Sequence, residues 1–337
     1  MRRSMMLVVG AGAVGTILTA YVANAGREPL QLYARAKDLA TLEGLTTIRV
    51  EPAGAGRPPI LATRPALAPS LDLNGVDYLL ICVKFPQLES LLDQLGEIPP
   101  TTTIISTLNG ISALRRIRAR HPGARVVPMS VMFNGQLLAP LHAQLTTRPS
   151  VLIGSEDPRL LAAFRGGGLQ VTPVAGESAA WGKLLINLAN AVCALTHTTF
   201  KDLFTRRELR LSYAAVAGEA VELLERAGIA YRLPMPIPFS LYKALLTGNT
   251  PLLWWIARIK NGLNEGAYPS MVADIAQGRR TEVDQLNGEI VSVGQEHGLP
   301  TPLNGKIVEL VHRMEAAGQP PPYLQPAELL QALGLKA

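Results

Sequence analysis

Three glycines near the amino terminus constrain the fold of this chain more than any other feature. In "MLVVGAGAVGTILTAYVANAG", Met6 to Val9 are apolar, Gly10, Gly12 and Gly15 fit G-x-G-x-x-G, and Val14 to Ala23 is a helix-compatible apolar run. A strand, a glycine turn and a helix in this order let backbone approach a pyrophosphate. The first glycine makes the tight turn, the second admits the phosphates and the third lets the helix close on the strand. The phosphates then lie on the helix's first N–H groups, at its positive end. A second strand-like run, Leu30 to Tyr33, follows as a Rossmann-type unit requires. Gly10, Ala11, Gly12, Ala13, Val14 and Gly15 are therefore expected at a dinucleotide; a purely structural glycine turn is the alternative.

The end of that second strand selects between dinucleotides. An acid there reads the ribose of NAD, whereas a 2′-phosphate calls for a cation. Here "LYARAKD" offers Arg35 and Lys37 and no acid before Asp38. The expected cofactor is NADP(H), because a guanidinium matches phosphate oxygens geometrically. Arg35 as a solvated loop residue is the competing reading.

Beyond the turn, strand-like and helical runs alternate: Val76 to Lys84, a helix in "LESLLDQLGE", Thr102 to Gly110, Arg125 to Gly135, "SVLIG" and "LQVTPV". The alternation predicts an α/β, doubly wound sheet. After Pro173 strand signals largely vanish and helical runs take over, at 180–195, 206–227, 238–246, 269–278, 282–298 and 301–317. The expected organisation is a Rossmann-type dinucleotide-binding domain over 1–175 and an all-α domain over 176–337. With 337 residues, 48% hydrophobic and 17% charged, the chain has enough material for two cores. A net charge of +6 comes from scattered Lys and Arg rather than a basic tract. An anionic cofactor and a small carboxylate substrate explain it as well as nucleic acid does, so no nucleic-acid partner is expected. Cys82 and Cys193 make neither a disulfide framework nor a metal-ligand spacing, and no metal is expected. Met1-Arg2-Arg3 resembles the start of a signal peptide, but no cleavage pattern or span of 18 apolar residues follows. A cytoplasmic protein without membrane partners is the expectation.

Residues at the carboxyl ends of the strands should face the cofactor. Lys84 ends one strand, suited to a phosphate or ribose, and Asn109 with Gly110 ends the next, suited to a hydroxyl or carboxamide; either residue also suits a cap. In the helical half, "WGKLLINLANAV" places Lys183, Asn187 and Asn190 within about 60° of one another on a regular helix. Such a face borders a cavity or forms an exposed polar stripe. Ser270 follows a proline and is placed to cap a helix, and Thr281-Glu282-Val283-Asp284 to open another with carboxylates at its positive end. Spacing alone names no catalyst among these.

Taken together, the N-terminal G-x-G-x-x-G, "VK" at 83–84, "NG" at 109–110, "WGKLLINL" at 181–188 and "SMVADIAQGRRTEVDQLNG" at 270–288 resemble the ketopantoate reductase (2-dehydropantoate 2-reductase) family over most of the chain. The resemblance implies NADPH-dependent reduction of 2-dehydropantoate to (R)-pantoate, in pantothenate and coenzyme A biosynthesis. It places Gly10, Gly12, Gly15, Arg35, Lys84 and Asn109 at the cofactor. It makes Lys183 the catalytic proton donor and Glu282 the acidic residue of the active site, with Asn187 and Ser270 on the substrate; Asn190, close to the Lys183 face, is expected at the substrate as well. These types suit the chemistry, since hydride attack on a ketone leaves alkoxide charge that an ammonium stabilises and protonates.

Two departures bear on substrate. The family's second asparagine falls at Ala191 here, with Asn190 one residue earlier, a rotation of about 100° on a regular helix. Trp254 and Trp255 adjoin on what should be the substrate side, and core or subunit packing is their plainer reading. Another NADP-dependent 2-oxo acid reductase, or a non-catalytic NADP-binding regulator, are the alternatives. The helical half offers a surface for a homodimer.

Overall fold

The computed structural model describes residues 5–27, 29–54, 56–248, 254–256 and 266–336. The chain divides into two compact units, Met1–Ala179 and Ala180–Ala337.

The first unit runs β1 (Met5–Val9), α1 (Ala13–Ala25), β2 (Leu30–Tyr33), α2 (Ala36–Glu43), β3 (Thr47–Glu51), β4 (Ile60–Thr63), β5 (Ala66–Leu67), β6 (Val76–Ile81) and α3 (Leu88–Gln94). It continues through β7 (Thr103–Ser106), α4 (Ser112–Arg120), β8 (Arg125–Val131), β9 (Gly135–Ala139), β10 (His142–Leu145), β11 (Ser150–Ile153), α5 (Pro158–Phe164) and β12 (Gln170–Pro173). The main sheet has the order β12-β11-β8-β7-β6-β1-β2-β5. From β5 to β8 every neighbour is parallel, and β11 joins β8 antiparallel. Counting only the six parallel strands, this is the 3-2-1-4-5-6 order of a Rossmann fold, with the direction of winding reversing between β1 and β6.

The period-2 pattern of the strands feeds two cores. Met6, Val8, Tyr78, Leu80 and Ile105 enter one apolar cluster with α1 residues Ile17, Leu18, Tyr21 and Val22. Leu7, Val9, Leu79, Ile81 and Ile104 point the other way, onto Leu88, Leu91 and Leu92 of α3 and Ala113 and Ile117 of α4. Burying each such side chain contributes about 1.5–3 kcal/mol. A strand buried on both faces therefore reads as a continuous apolar run, as "MMLVV" does.

Two features differ from the sequence expectation. A four-stranded sheet, β4-β3-β10-β9, was not anticipated; it covers α1, and Ile17 lies where a side chain on Gly135 would stand. The strand expected over 125–135 ends at Val131, and Gly135 opens β9 of that small sheet.

In the second unit follow α6 (Ser178–Asn187), α7 (Ala189–Thr196), α8 (Phe200–Thr205), α9 (Arg207–Arg226) and α10 (Phe239–Thr247). Helices 270–276, 287–296, 302–316 and 326–332 follow among the described residues. The central α9 buries Leu209, Tyr213, Val216, Ala217, Ala220, Val221 and Leu224, and helices 287–296, 302–316 and 326–332 pack on it with α7, α8 and α10. Between those later helices, buried Asn287 donates to Asn304 (3.0 Å), whose amide donates to Glu219 of α9 (2.9 Å). The Glu219 carboxylate also accepts the backbone N–H groups of Leu303 and Asn304, both at 2.8 Å, capping helix 302–316. The stretch Ser178–Thr196 is long and apolar enough to cross a membrane, yet 72% of it is buried inside the protein, as in a core helix.

Two local expectations are corrected. The helix expected over 180–195 is interrupted at Leu188, so α6 and α7 are separate segments. Glu282 does not open a helix. It sits in a tight turn, with Gln285 N–H donating to its carbonyl (3.1 Å), and the helix begins only at Asn287.

Candidate active site

The glycine turn lies at the carboxyl end of β1, beside the reversal point of the sheet. Gly10 has φ +108, a left-handed conformation suited to glycine, and a Cβ there would stand 2.9 Å from the Cys82 carbonyl oxygen that follows β6. Gly15 is buried, and a Cβ on it would fall 1.9 Å from the Gly10 oxygen. That glycine lets α1 close on the turn. Gly12 differs from both, because a Cβ there meets nothing within 4 Å. It is the N-cap of α1, with no side-chain cap and no acid in the first turn, so the positive end of α1 is left to an external anion. Ala11, Ala13 and Val14 form the partly buried remainder of the turn. A dinucleotide pyrophosphate fits this cradle: open space where the phosphates approach, and contact everywhere a side chain would obstruct the fold.

Arg35 follows β2 as the N-cap residue of α2, and its Nε donates to Asp38 at 2.9 Å. Both side chains are exposed, so this pair contributes under about 1 kcal/mol and yields to a stronger anion. Lys84 follows β6 with its side chain exposed, and its backbone N–H donates to Gln87 Oε1 at 2.9 Å. Asn109 lies in the turn after β7, partly buried, ahead of Gly110 at φ +79. Since β2, β1, β6 and β7 are neighbours, all these positions share one edge of the sheet. Cys82 is buried and its thiol is pushed up to about 12 by desolvation, which makes it inert.

In the second unit Lys183 is partly buried on α6 among Trp181, Leu184 and Leu185. Burial lowers its ammonium to about 8, while the nearby Glu282 carboxylate acts in the opposite direction. The structure thus brings Lys183 and Glu282 together across about a hundred residues of sequence. Asn187 and Asn190 are partly buried likewise, flanked by buried Leu188, Ala189 and Ala191. Helix 270–276, which begins at Ser270, packs against α7, the helix of Asn190. The expected capping role of Ser270 is not found: Pro269 is the N-cap, and Ser270 is the exposed first helical residue. The adjacent tryptophans separate, Trp254 being 3% exposed and Trp255 52%. Among the described residues no three His, Cys, Asp or Glu side chains gather as a metal site.

Sequence reasoning missed Gly182 and Tyr213. A Cβ on Gly182 would stand 1.7 Å from the Arg232 carbonyl oxygen, so α6 lies directly on that peptide. Tyr213 Oη donates to the Leu185 carbonyl of α6 at 3.3 Å. An isolated glycine inside an apolar helix was the available signal for the first; nothing local marks the second.

A Rossmann sheet with this cradle, joined in one chain to a helical unit holding a lysine near a carboxylate, defines a pyridine-nucleotide oxidoreductase. The model of the family "Ketopantoate reductase PanE/ApbA" matches residues 6–158, and that of its C-terminal part matches 177–315. The chain belongs to the ketopantoate reductase family, oxidoreductases of 2-oxo acids. It is 25% identical over 310 residues to the 2-dehydropantoate 2-reductase of Mycobacterium tuberculosis, covering 90% of this chain and 95% of that one. To the enzyme of the same name from Aquifex aeolicus it is 23% identical, covering 92% and 96%. Two solved structures show the same fold: a ketopantoate reductase from Ralstonia eutropha (TM-score 0.74, 24% identity, 93% and 99% covered), and D-mandelate dehydrogenase with NADH and anilino(oxo)acetate (TM-score 0.75, 20% identity, 93% and 99% covered).

Proposed function

We propose that this chain reduces 2-dehydropantoate to (R)-pantoate with NADPH, as a cytoplasmic enzyme of pantothenate biosynthesis. The observation that carries the reading is Lys183, held near Glu282 with its ammonium lowered to about 8. A cation with that proton affinity stays charged at neutral pH yet releases its proton readily.

NADPH, when bound, supplies the hydride to the C2 ketone. Residues 1–175 hold it, with Gly10 to Gly15 on the pyrophosphate, Arg35 on the 2′-phosphate, and Lys84 and Asn109 on the groups beyond. Residues 176–337 hold the substrate and supply a dimer surface; a ketopantoate reductase of the same fold from Staphylococcus aureus is described as dimeric. Lys183 donates a hydrogen bond to the ketone oxygen, stabilises the alkoxide as it forms and gives up its proton. Glu282 keeps that ammonium oriented and charged. Asn187 and Asn190 donate to the polar groups of the substrate, and Ser270 donates to its carboxylate.

Oxidation of NADPH with 2-dehydropantoate and a panel of smaller 2-oxo acids tests the reading. The branched substrate is expected to be fastest. Preference for another acid by a hundredfold, about 2.7 kcal/mol of transition-state discrimination, would overturn the substrate assignment. Ala191, fully buried where the family commonly has asparagine, favours that second reading, a reductase of a different 2-oxo acid.

Cofactor choice is tested separately. NADPH is expected to bind more tightly than NADH, and Arg35→Ala to cost about 1–3 kcal/mol of NADPH affinity with little change for NADH. Fluorescence titrations of both nucleotides read the difference; equal affinities in the parent protein would refute it.

A further inference from the structure

On the reductase reading above, Lys183 must meet the substrate oxygen within hydrogen-bond reach, yet it sits on a helix interrupted five residues later. Something must set the height and rotation of that helix. Two contacts flank the lysine. On one side Gly182 has no room for a side chain, because the Arg232 carbonyl carbon and oxygen would lie 2.3 and 1.7 Å from its Cβ. On the other, Tyr213 of α9 donates to the Leu185 carbonyl at 3.3 Å, and Tyr242 of α10 donates to the Tyr213 hydroxyl at 3.4 Å. Both rings are sequestered, at 0% and 2% exposure, and meet edge to face at 76°. Leu185 is the residue whose carbonyl an uninterrupted helix would give to the N–H of Ala189, where α7 begins. The tyrosine therefore engages α6 at the acceptor next to the interruption, between Lys183 on one segment and Asn190 on the other.

We propose that Gly182 and the Tyr213–Tyr242 hydroxyl pair form a two-point clamp that positions α6, so that Lys183, Asn187 and Asn190 present one face despite the interruption at Leu188. Gly182, Tyr213 and Tyr242 are positioning residues; none reacts. The clamp ties that face to α9 and α10 and gives the two buried hydroxyls a common role.

Tyr213→Phe removes one hydroxyl and keeps the ring. Its kcat is expected to fall about tenfold with NADPH affinity within about twofold of the parent, since misplacement of a catalytic group acts on the chemical step. Tyr242→Phe should show a smaller effect of the same sign. A readout independent of turnover is the pH dependence of Lys183 acetylation by acetic anhydride, followed by mass spectrometry. Its midpoint is expected at about 8 in the parent. In Tyr213→Phe it should rise by at least about half a pH unit, as the freed amine finds water or Glu282. A Tyr213→Phe protein with lowered melting temperature but parental kcat and an unmoved Lys183 midpoint would overturn the clamp. Failure of the reductase reading looks different: the parent turns over no 2-oxo acid, while the Lys183 midpoint still moves in the variant and the clamp stands.

Discussion

Lys183→Ala is expected to lower kcat by about 10²–10⁴-fold, the contribution of a positioned acid, while NADPH affinity stays within about twofold of the parent. The same residue sets the pH dependence. An acid must be protonated to work, so kcat/KM should fall as pH rises through about 8, roughly tenfold per unit beyond it. Stability moves the opposite way. Because burial lowers the folded-state value of Lys183 from 10.5 to about 8, the unfolded chain binds more protons between those values, and the cost of keeping the ammonium folded is complete below pH 8. Lys183→Met should therefore gain up to about 3 kcal/mol at pH 7, a gain that shrinks between pH 8 and 10.5. Denaturant titrations at pH 7 and pH 10 read this directly. A variant both inactive and more stable identifies a residue kept for chemistry at the expense of the fold. A Lys183→Ala protein retaining more than about a tenth of parental kcat would dismiss the acid role.

Why was so much of this legible in the sequence? The glycine turn was, because each glycine answers a different steric demand and those demands reappear as Cβ contacts at Gly10 and Gly15 and open space at Gly12. The central strands were too, since burial on both faces leaves runs such as "VDYLLI" with no helical period. The small sheet was not. Its strands are four or five residues long, β3 alternates exposed and buried positions among charged neighbours, and β9 is exposed throughout. Their order is set by covering α1, a tertiary fact with no local signature. Glu282 was read by local reasoning as part of a helix start, and the structure puts it in a turn instead. A Thr-Glu-Val-Asp start suggests a helix N-terminus, but the Glu315 carboxylate accepts the Thr281 N–H at 2.8 Å and the turn delays the helix to Asn287. The interruption at Leu188 was invisible for a similar reason: "LLINLANAV" contains no glycine or proline to mark a break, and the tyrosine at that site comes from a helix 28 residues away.

The last expectation concerns Gly12 and Gly15, which the motif treats alike and the structure separates. Gly15→Ala should damage the fold. Its Cβ would have to sit 1.9 Å from the Gly10 oxygen and 3.0 Å from the Gly10 carbonyl carbon, backbone atoms that no rotamer change can move aside. Either α1 lifts from the sheet, exposing the cluster around Ile17 and Leu18, or the turn distorts; overpacking of this kind costs about 1–3 kcal/mol or more. Gly12→Ala should do the reverse. With φ −74 and no atom within 4 Å of the added Cβ, the residue is exposed and unstrained, so stability should change by less than about 0.5 kcal/mol. The only thing the new methyl meets is what comes to the positive end of α1. If that is a dinucleotide pyrophosphate, NADPH affinity should drop by about 10–100-fold, or 1.4–2.8 kcal/mol, with the melting temperature unmoved. Thermal unfolding and nucleotide titration on the two variants give opposite patterns on this account, and a Gly12→Ala protein that binds NADPH as the parent does would place the nucleotide elsewhere.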